Sequence, residues 1–225
     1  MNLGASSRLA ISLVAVMLGF TGSAMAGPPL ICHPIAIGQA KSLPSPDLNS
    51  QKGDGGYSLQ NLTQDTLAIL ESNTPVLVRM ETLRRATLYA RQDPQVAKEL
   101  LTRLHARAAN ASADNIGALA WFDLGYLAET YNQGFEKGQP NPAAGLDGYG
   151  WVRKAISLRG QDPEMEFAAA LITLTGPKSD HRAHLQKAIA GAKNDSLLAQ
   201  NLASAFNLQM TSALLNNPSA GGPNK

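Results

Sequence analysis

The chain has 225 residues, 19 Lys or Arg against 17 Asp or Glu, a single cysteine and 44% hydrophobic residues. These values exclude a disulfide-stapled miniprotein, a collagen-like chain and a wholly disordered one. A net charge near +2 gives no support to general nucleic-acid binding, which rests on a strong basic excess.

Residues 1–26 read as a secretory signal peptide. Arg8 precedes an apolar run from Leu9 to Phe20, and Ala24-Met25-Ala26 places small residues at the cleavage position. The run is too short for a spanning helix, which needs about 20 residues. Gly27-Pro28-Pro29 then stops any helix from continuing. Ile31 before Cys32 argues against a lipid-attachment signal. The expectation is an exported protein, periplasmic or secreted, with no transmembrane segment after cleavage. With one cysteine it can form no internal disulfide.

Residues 27–60 predict an extended arm. Pro28, Pro29, Pro34, Pro44 and Pro46 forbid a long helix, and Gly53-Asp54-Gly55-Gly56 reads as a turn. Leu30, Ile31, Ile35, Ile37 and Leu43 are apolar enough to dock the arm on the body of the protein.

A helical domain is expected over residues 61–216. Thr74-Pro75, Asp93-Pro94 and Asp162-Pro163 each place a capping side chain before a proline at the first helical position. Val76, Met80, Leu83 and Thr87 recur at helical spacing, as do Val96, Leu100 and Leu104. Further helices are predicted at about 114–133, 148–159, 163–175, 179–193 and 195–216, the last striped by Leu202, Phe206, Met210 and Ala213. No stretch alternates with period two, so no sheet is expected. The tail, 217–225, is rich in Pro and Gly and predicted to be mobile.

Short helices joined by tight turns predict an all-α stack of antiparallel hairpins. The caps at Asp162 and Asp195 lie 33 positions apart, close to the ~34-residue tetratricopeptide period. Trp121, Leu124 and Gly125 match the W-x2-L-G opening of a tetratricopeptide helix, so the domain resembles that family. Ala128 stands where the family has tyrosine, and the Gly/Pro-rich stretch 132–148 interrupts the period. The resemblance implies an α-solenoid whose concave face binds a protein or peptide. The opening Pro28-Pro29-Leu30-Ile31-Cys32-His33-Pro34 is also similar to uncharacterised exported bacterial proteins, which implies no activity.

Trp121, Phe122, Tyr126, Tyr131, Phe135, Tyr149 and Trp151 fall within about thirty residues. That clustering marks 114–133 as the central core helix. Tyr126, Tyr131 and Tyr149 are the aromatic candidates for partner contact, with 132–148 as a candidate binding loop. Asp123 faces apolar helical neighbours, so it is expected to be buried and paired with an arginine such as Arg79, Arg84 or Arg85. A general acid is the alternative, and a hydrolase or lyase would join Asp123 to a histidine.

Cys32 and His33 are adjacent potential metal ligands, which His105, His181 and His184 could join. A closed zinc site needs four ligands, and no Cys-x-x-Cys or His-Glu-x-x-His pattern is present. The simpler reading docks Cys32 with Ile31 and Ile35 as a small apolar side chain. Between Arg79 and Arg107 seven basic residues meet three acidic ones. Arg84, Arg85, Arg91, Lys98, Arg103 and Arg107 could therefore form a basic face for an anionic partner or membrane surface, or a solvated helix face. Phosphate-binding loops, G-x-G-x-x-G and G-x-S-x-G are absent. The reading is a non-enzymatic binding module or scaffold without a cofactor, with a protein or peptide partner and a dimer through arm packing as one possibility. A thiol- or metal-dependent protein using Cys32 and His33 is the alternative.

Overall fold

The computed structural model describes residues 29–46 and 56–206. Residues 1–26, read above as a signal peptide, the turn residues Gly53 to Gly55, the tail at 217–225 and any helix beyond 206 lie outside the described residues. Within them the structure is all-helical, with no strand. The α-helices are α1 (Pro29–Cys32), α2 (Leu62–Ile69), α3 (Val76–Ala90), α4 (Pro94–Ala109), α5 (Asn115–Gly134), α6 (Gly148–Arg159), α7 (Pro163–Ile172), α8 (Lys178–Gly191) and α9 (Ser196–Ala205).

Local chemistry starts these helices. Asp93, Asp162 and Asp195 each accept two backbone N–H groups from the first turn that follows. Asp114 does the same for α5, accepting from Ile116 and Gly117. Thr74 departs from the expectation. Its hydroxyl turns back to the Ile69 carbonyl at 2.6 Å, and α3 begins one residue after Pro75 without a side-chain cap.

The order of contacts fixes the helix directions. Glu129, Gly125 and Trp121 of α5 meet Tyr149, Val152 and Lys154 of α6, so this pair runs antiparallel. Ala170, Glu166 and Lys187 relate α7 to α8 in the same sense. Arg79 and Thr87 of α3 meet Asp123 and Thr130 of α5, so those helices run parallel.

At the α5–α6 crossing two glycines bring the backbones together. A Cβ on Gly125 would lie 2.6 Å from the Gly148 carbonyl oxygen and 2.8 Å from the Val152 nitrogen. Backbone cannot swing aside as a side-chain tip can. Gly125→Ala therefore gains about 1 kcal/mol of helix propensity but incurs about 1–3 kcal/mol of overpacking. A net loss of about 1–2 kcal/mol is expected by chemical denaturation; unchanged or raised stability would show that the helices separate without cost.

As the aromatic clustering predicts, α5 is a central core helix, packed against α1, α3, α4, α6 and α7, and α3 is buried more completely still. Fourteen of the fifteen residues of α3 are buried, against thirteen of twenty in α5. The reason is the arm. Residues 29–46 cover the outer face of α3 and bury Leu30, Ile31, Ile35 and Leu43, leaving Ile37 partly covered.

Candidate functional site

Besides its buried apolar side chains, the arm is held by hydrogen bonds that go chiefly to its main chain. Its first turn, α1, donates Leu30 N–H to the Gln133 side chain at 2.9 Å. The Ile31 carbonyl accepts Arg84 Nη1 at 2.9 Å, and Ile35 N–H donates to Glu81 Oε2 at 2.9 Å. Asn201 of α9 reads one peptide unit from both sides. Its Oδ1 accepts Ala36 N–H at 2.8 Å, and its Nδ2 donates to the Ala36 carbonyl at 2.9 Å. The chain then turns at Gly38, whose φ of +60° suits glycine, and Ala40 N–H closes on Ile37. On the return, Ser42 meets the Thr82 hydroxyl at 3.0 Å and the Leu43 carbonyl accepts Arg85 Nη1 at 2.5 Å.

Glu81 is the hub of this groove. Its carboxylate accepts Arg84 Nε at 2.7 Å, Arg84 Nη2 at 2.9 Å and Arg85 Nε at 2.6 Å, besides Ile35 N–H. Burial works to raise its pKa, yet the two guanidiniums and the amide together hold the carboxyl below its ordinary value. The same helix turn therefore pairs two guanidiniums on one carboxylate and binds the arm. Three of the basic residues between Arg79 and Arg107 are spent internally, since Arg79 is buried beside Asp123 as well. The predicted basic face accordingly loses Arg84 and Arg85.

Asp123 is fully buried and paired with Arg79 at 2.6 Å, the first of the arginine partners expected. Arg79 also donates to the carbonyls of Thr74 and Glu71, which fixes the guanidinium at the α2–α3 corner. Asp123 Oδ1 makes no hydrogen bond within the protein. Burial outweighs the pull of Arg79 and Arg107, and the carboxyl is pushed up to about 6. Its hydrogen-bond partner is Arg79, and it has no exposed surface.

Tyr126 and Tyr131, the first two partner-contact candidates, are fully buried, and Tyr131 donates to the Ala97 carbonyl at 3.2 Å. Their rings pack in the core because α5 is apolar on most of its circumference, and a bound partner would not reach them. Tyr149 alone keeps some surface. Its hydroxyl lies 2.8 Å from His184 Nε2, and His184 Nδ1 bonds the buried Glu166, which also holds Lys187 at 3.0 Å. This Tyr149–His184–Glu166 string ties α6, α8 and α7. Glu166 within the apolar start of α7 is the one sequence signal that could have revealed it.

Cys32 is exposed on the arm, rather than packed with Ile31 and Ile35. The neighbouring His33 has its Nε2 shielded and without a hydrogen bond. His105 lies against Trp151 at 6.3 Å between ring centroids, and His181 meets the Ala170 carbonyl at 2.9 Å. No group of three or more His, Cys, Asp and Glu close enough to hold a metal occurs among the described residues. Likewise no described helix is long and apolar enough to cross a membrane. The loop between α5 and α6 spans 135–147 and buries Phe135 and Ala143 while its tip is exposed.

Compared with protein-family models, curated proteins and solved structures, the chain matches none.

Proposed function

We propose that this chain is an exported, non-enzymatic helical-repeat protein, tetratricopeptide-like in build, that binds an extended segment of a protein or peptide partner. The observation that carries this reading is the recognition of residues 31–43 by Glu81, Arg84, Arg85 and Asn201. Those side chains grip main-chain groups, which every peptide shares, so the same groove suits other sequences. The helix order supports a repeat. Helices α3, α5 and α7 adjoin one another, α4 and α6 pack against α5, and α8 packs against α7. First helices of successive hairpins line the concave face of such stacks, and α1 packs against α3, α5 and α7. The arm thus stands where a partner segment would, at the high effective concentration its tether supplies. The Arg8, Leu9–Phe20 and Ala24-Met25-Ala26 leader supports export to the periplasm or beyond.

The test uses the full chain with Ile35→Asp, which sets a second carboxylate beside Glu81 and loosens the arm. A labelled peptide of residues 29–46 is expected to bind this variant and not the parent chain. Adding Asn201→Ala, which removes two hydrogen bonds, should weaken capture about tenfold. A folded Ile35→Asp chain that captures no peptide, or one that loses its cooperative melt, would make the arm a fold element and not a stand-in for a ligand.

A further inference from the structure

With Arg79, Arg84 and Arg85 consumed internally, the remaining guanidiniums of the basic stretch have a different setting. Arg103 is exposed and makes no hydrogen bond or ion pair among the described residues. Arg107, one turn further on, is tethered through Nη2 to the Leu70 carbonyl at 2.8 Å. Both line a surface cavity of about 590 Å³ between α2, the end of α4 and the start of α5. Its remaining wall is apolar and neutral, chiefly Leu67, Ala106, Ile116 and Ala120, with Asn110 and Ser112 at the polar end and no acidic residue in the lining. Ile116 is 63% exposed, the more exposed of only two large apolar side chains left open among the described residues.

The coincidence of these features is what points to a ligand. Two guanidiniums that share a cavity lined by no carboxylate favour an anionic group there. Glu99, one turn before Arg103, and Asp114, which accepts the N–H groups of Ile116 and Gly117, both lie outside the lining. An exposed isoleucine beside them offers apolar surface that nothing else in the described residues covers. The cavity is of the size that holds small molecules. A polyanion would use the charge and ignore Ile116, and a neutral apolar molecule would do the reverse.

We propose that this cavity binds a small anionic amphiphile, with its acidic head between Arg103 and Arg107 and its aliphatic tail along Ile116 and Leu67. The head is a carboxylate or a phosphate monoester, because either accepts paired guanidinium hydrogen bonds. This site lies apart from the arm groove and stands independently of the peptide-binding reading.

Isothermal titration of the full chain tests it with four probes kept below their micellar concentrations: dodecanoate, dodecyl phosphate, dodecyltrimethylammonium and inorganic phosphate. Saturable binding of the two anionic amphiphiles is expected, with neither the cationic one nor inorganic phosphate binding comparably. The tighter of the two heads identifies the source as a fatty acid or a phosphorylated lipid. Arg103→Ala touches no structural contact and should weaken binding about tenfold, the loss of one charge-assisted contact. Ile116→Ser should weaken dodecanoate more than octanoate. Equal binding of the cationic amphiphile, or affinities unmoved by Arg103→Ala, would overturn the proposal.

Discussion

Glu81→Ala is expected to free residues 29–46 from α3, weakening the arm's attachment by about 3–5 kcal/mol, the cost of breaking a buried ion pair on one side. The substitution strands two guanidiniums within one helical turn. Arg84 has only 4% of its side chain exposed and Arg85 20%, so water can relieve the second but scarcely the first. The Ile35 amide loses its acceptor at the same time. Glu81→Gln keeps an acceptor for that amide and removes the charge, so it should recover part of the loss. Hydrogen exchange locates the effect: Ile35 and Ala36 should lose protection in the variant while α5 keeps its own. Because the folded Glu81 carboxyl is held below its unfolded value, its contribution is present above about pH 4 and lost as pH falls through the folded pKa. Uniform loss of protection across all helices would show instead that the arm and the body unfold as one unit.

Asp123→Ala should cost a similar amount, about 3–5 kcal/mol, because Arg79 would keep its charge with no surface and no counter-ion. The pair is expensive to keep as well as to break. Replacing both partners, Arg79→Met with Asp123→Leu, should therefore recover most of that loss, and a strongly non-additive cycle is the expected result. The pH response has the opposite sign to that of Glu81. The folded Asp123 carboxyl titrates at about 6, above the unfolded value near 3.9, so it holds its proton more tightly when folded. Its stabilisation is complete below about pH 4 and is lost as pH rises to 6, a change on the order of 2–3 kcal/mol. Denaturation of the parent chain and of the double variant across that range separates this group from the rest. A stability difference between them that stays flat from pH 4 to 7 would refute the raised carboxyl.

The first effect concerns side chains whose shared burial the sequence does not announce. On α3 the sequence offers Arg84 and Arg85 both as partners for Asp123 and as part of a basic face, and nothing in it singles out Glu81 as their buried counter-ion. Asp123 is the exception, because apolar neighbours at three and four positions on either side announce its burial. Tyr126 and Tyr131 carry no comparable signal. A tyrosine on an apolar helix packs equally well in a core or in a groove, and only its neighbours decide.

What the sequence by itself determined is everything that depends on three or four residues of chain. Aspartates before first turns, prolines at first positions and apolar residues at helical spacing place α4 to α8 and the start of α9 to within a few residues, since capping and helical hydrogen bonds act over those distances; the helix predicted over 195–216 instead stops at Ala205, where Phe206 turns extended. The apolar arm residues likewise announce docking, though not its place. Tertiary structure alone decided which charges are buried, because the partners lie far apart in the chain: Ile35 and Glu81 by 46 positions, Arg79 and Asp123 by 44, Ala36 and Asn201 by 165. A buried charge is stabilised by whatever the fold brings to it, and no local pattern encodes a partner at that separation.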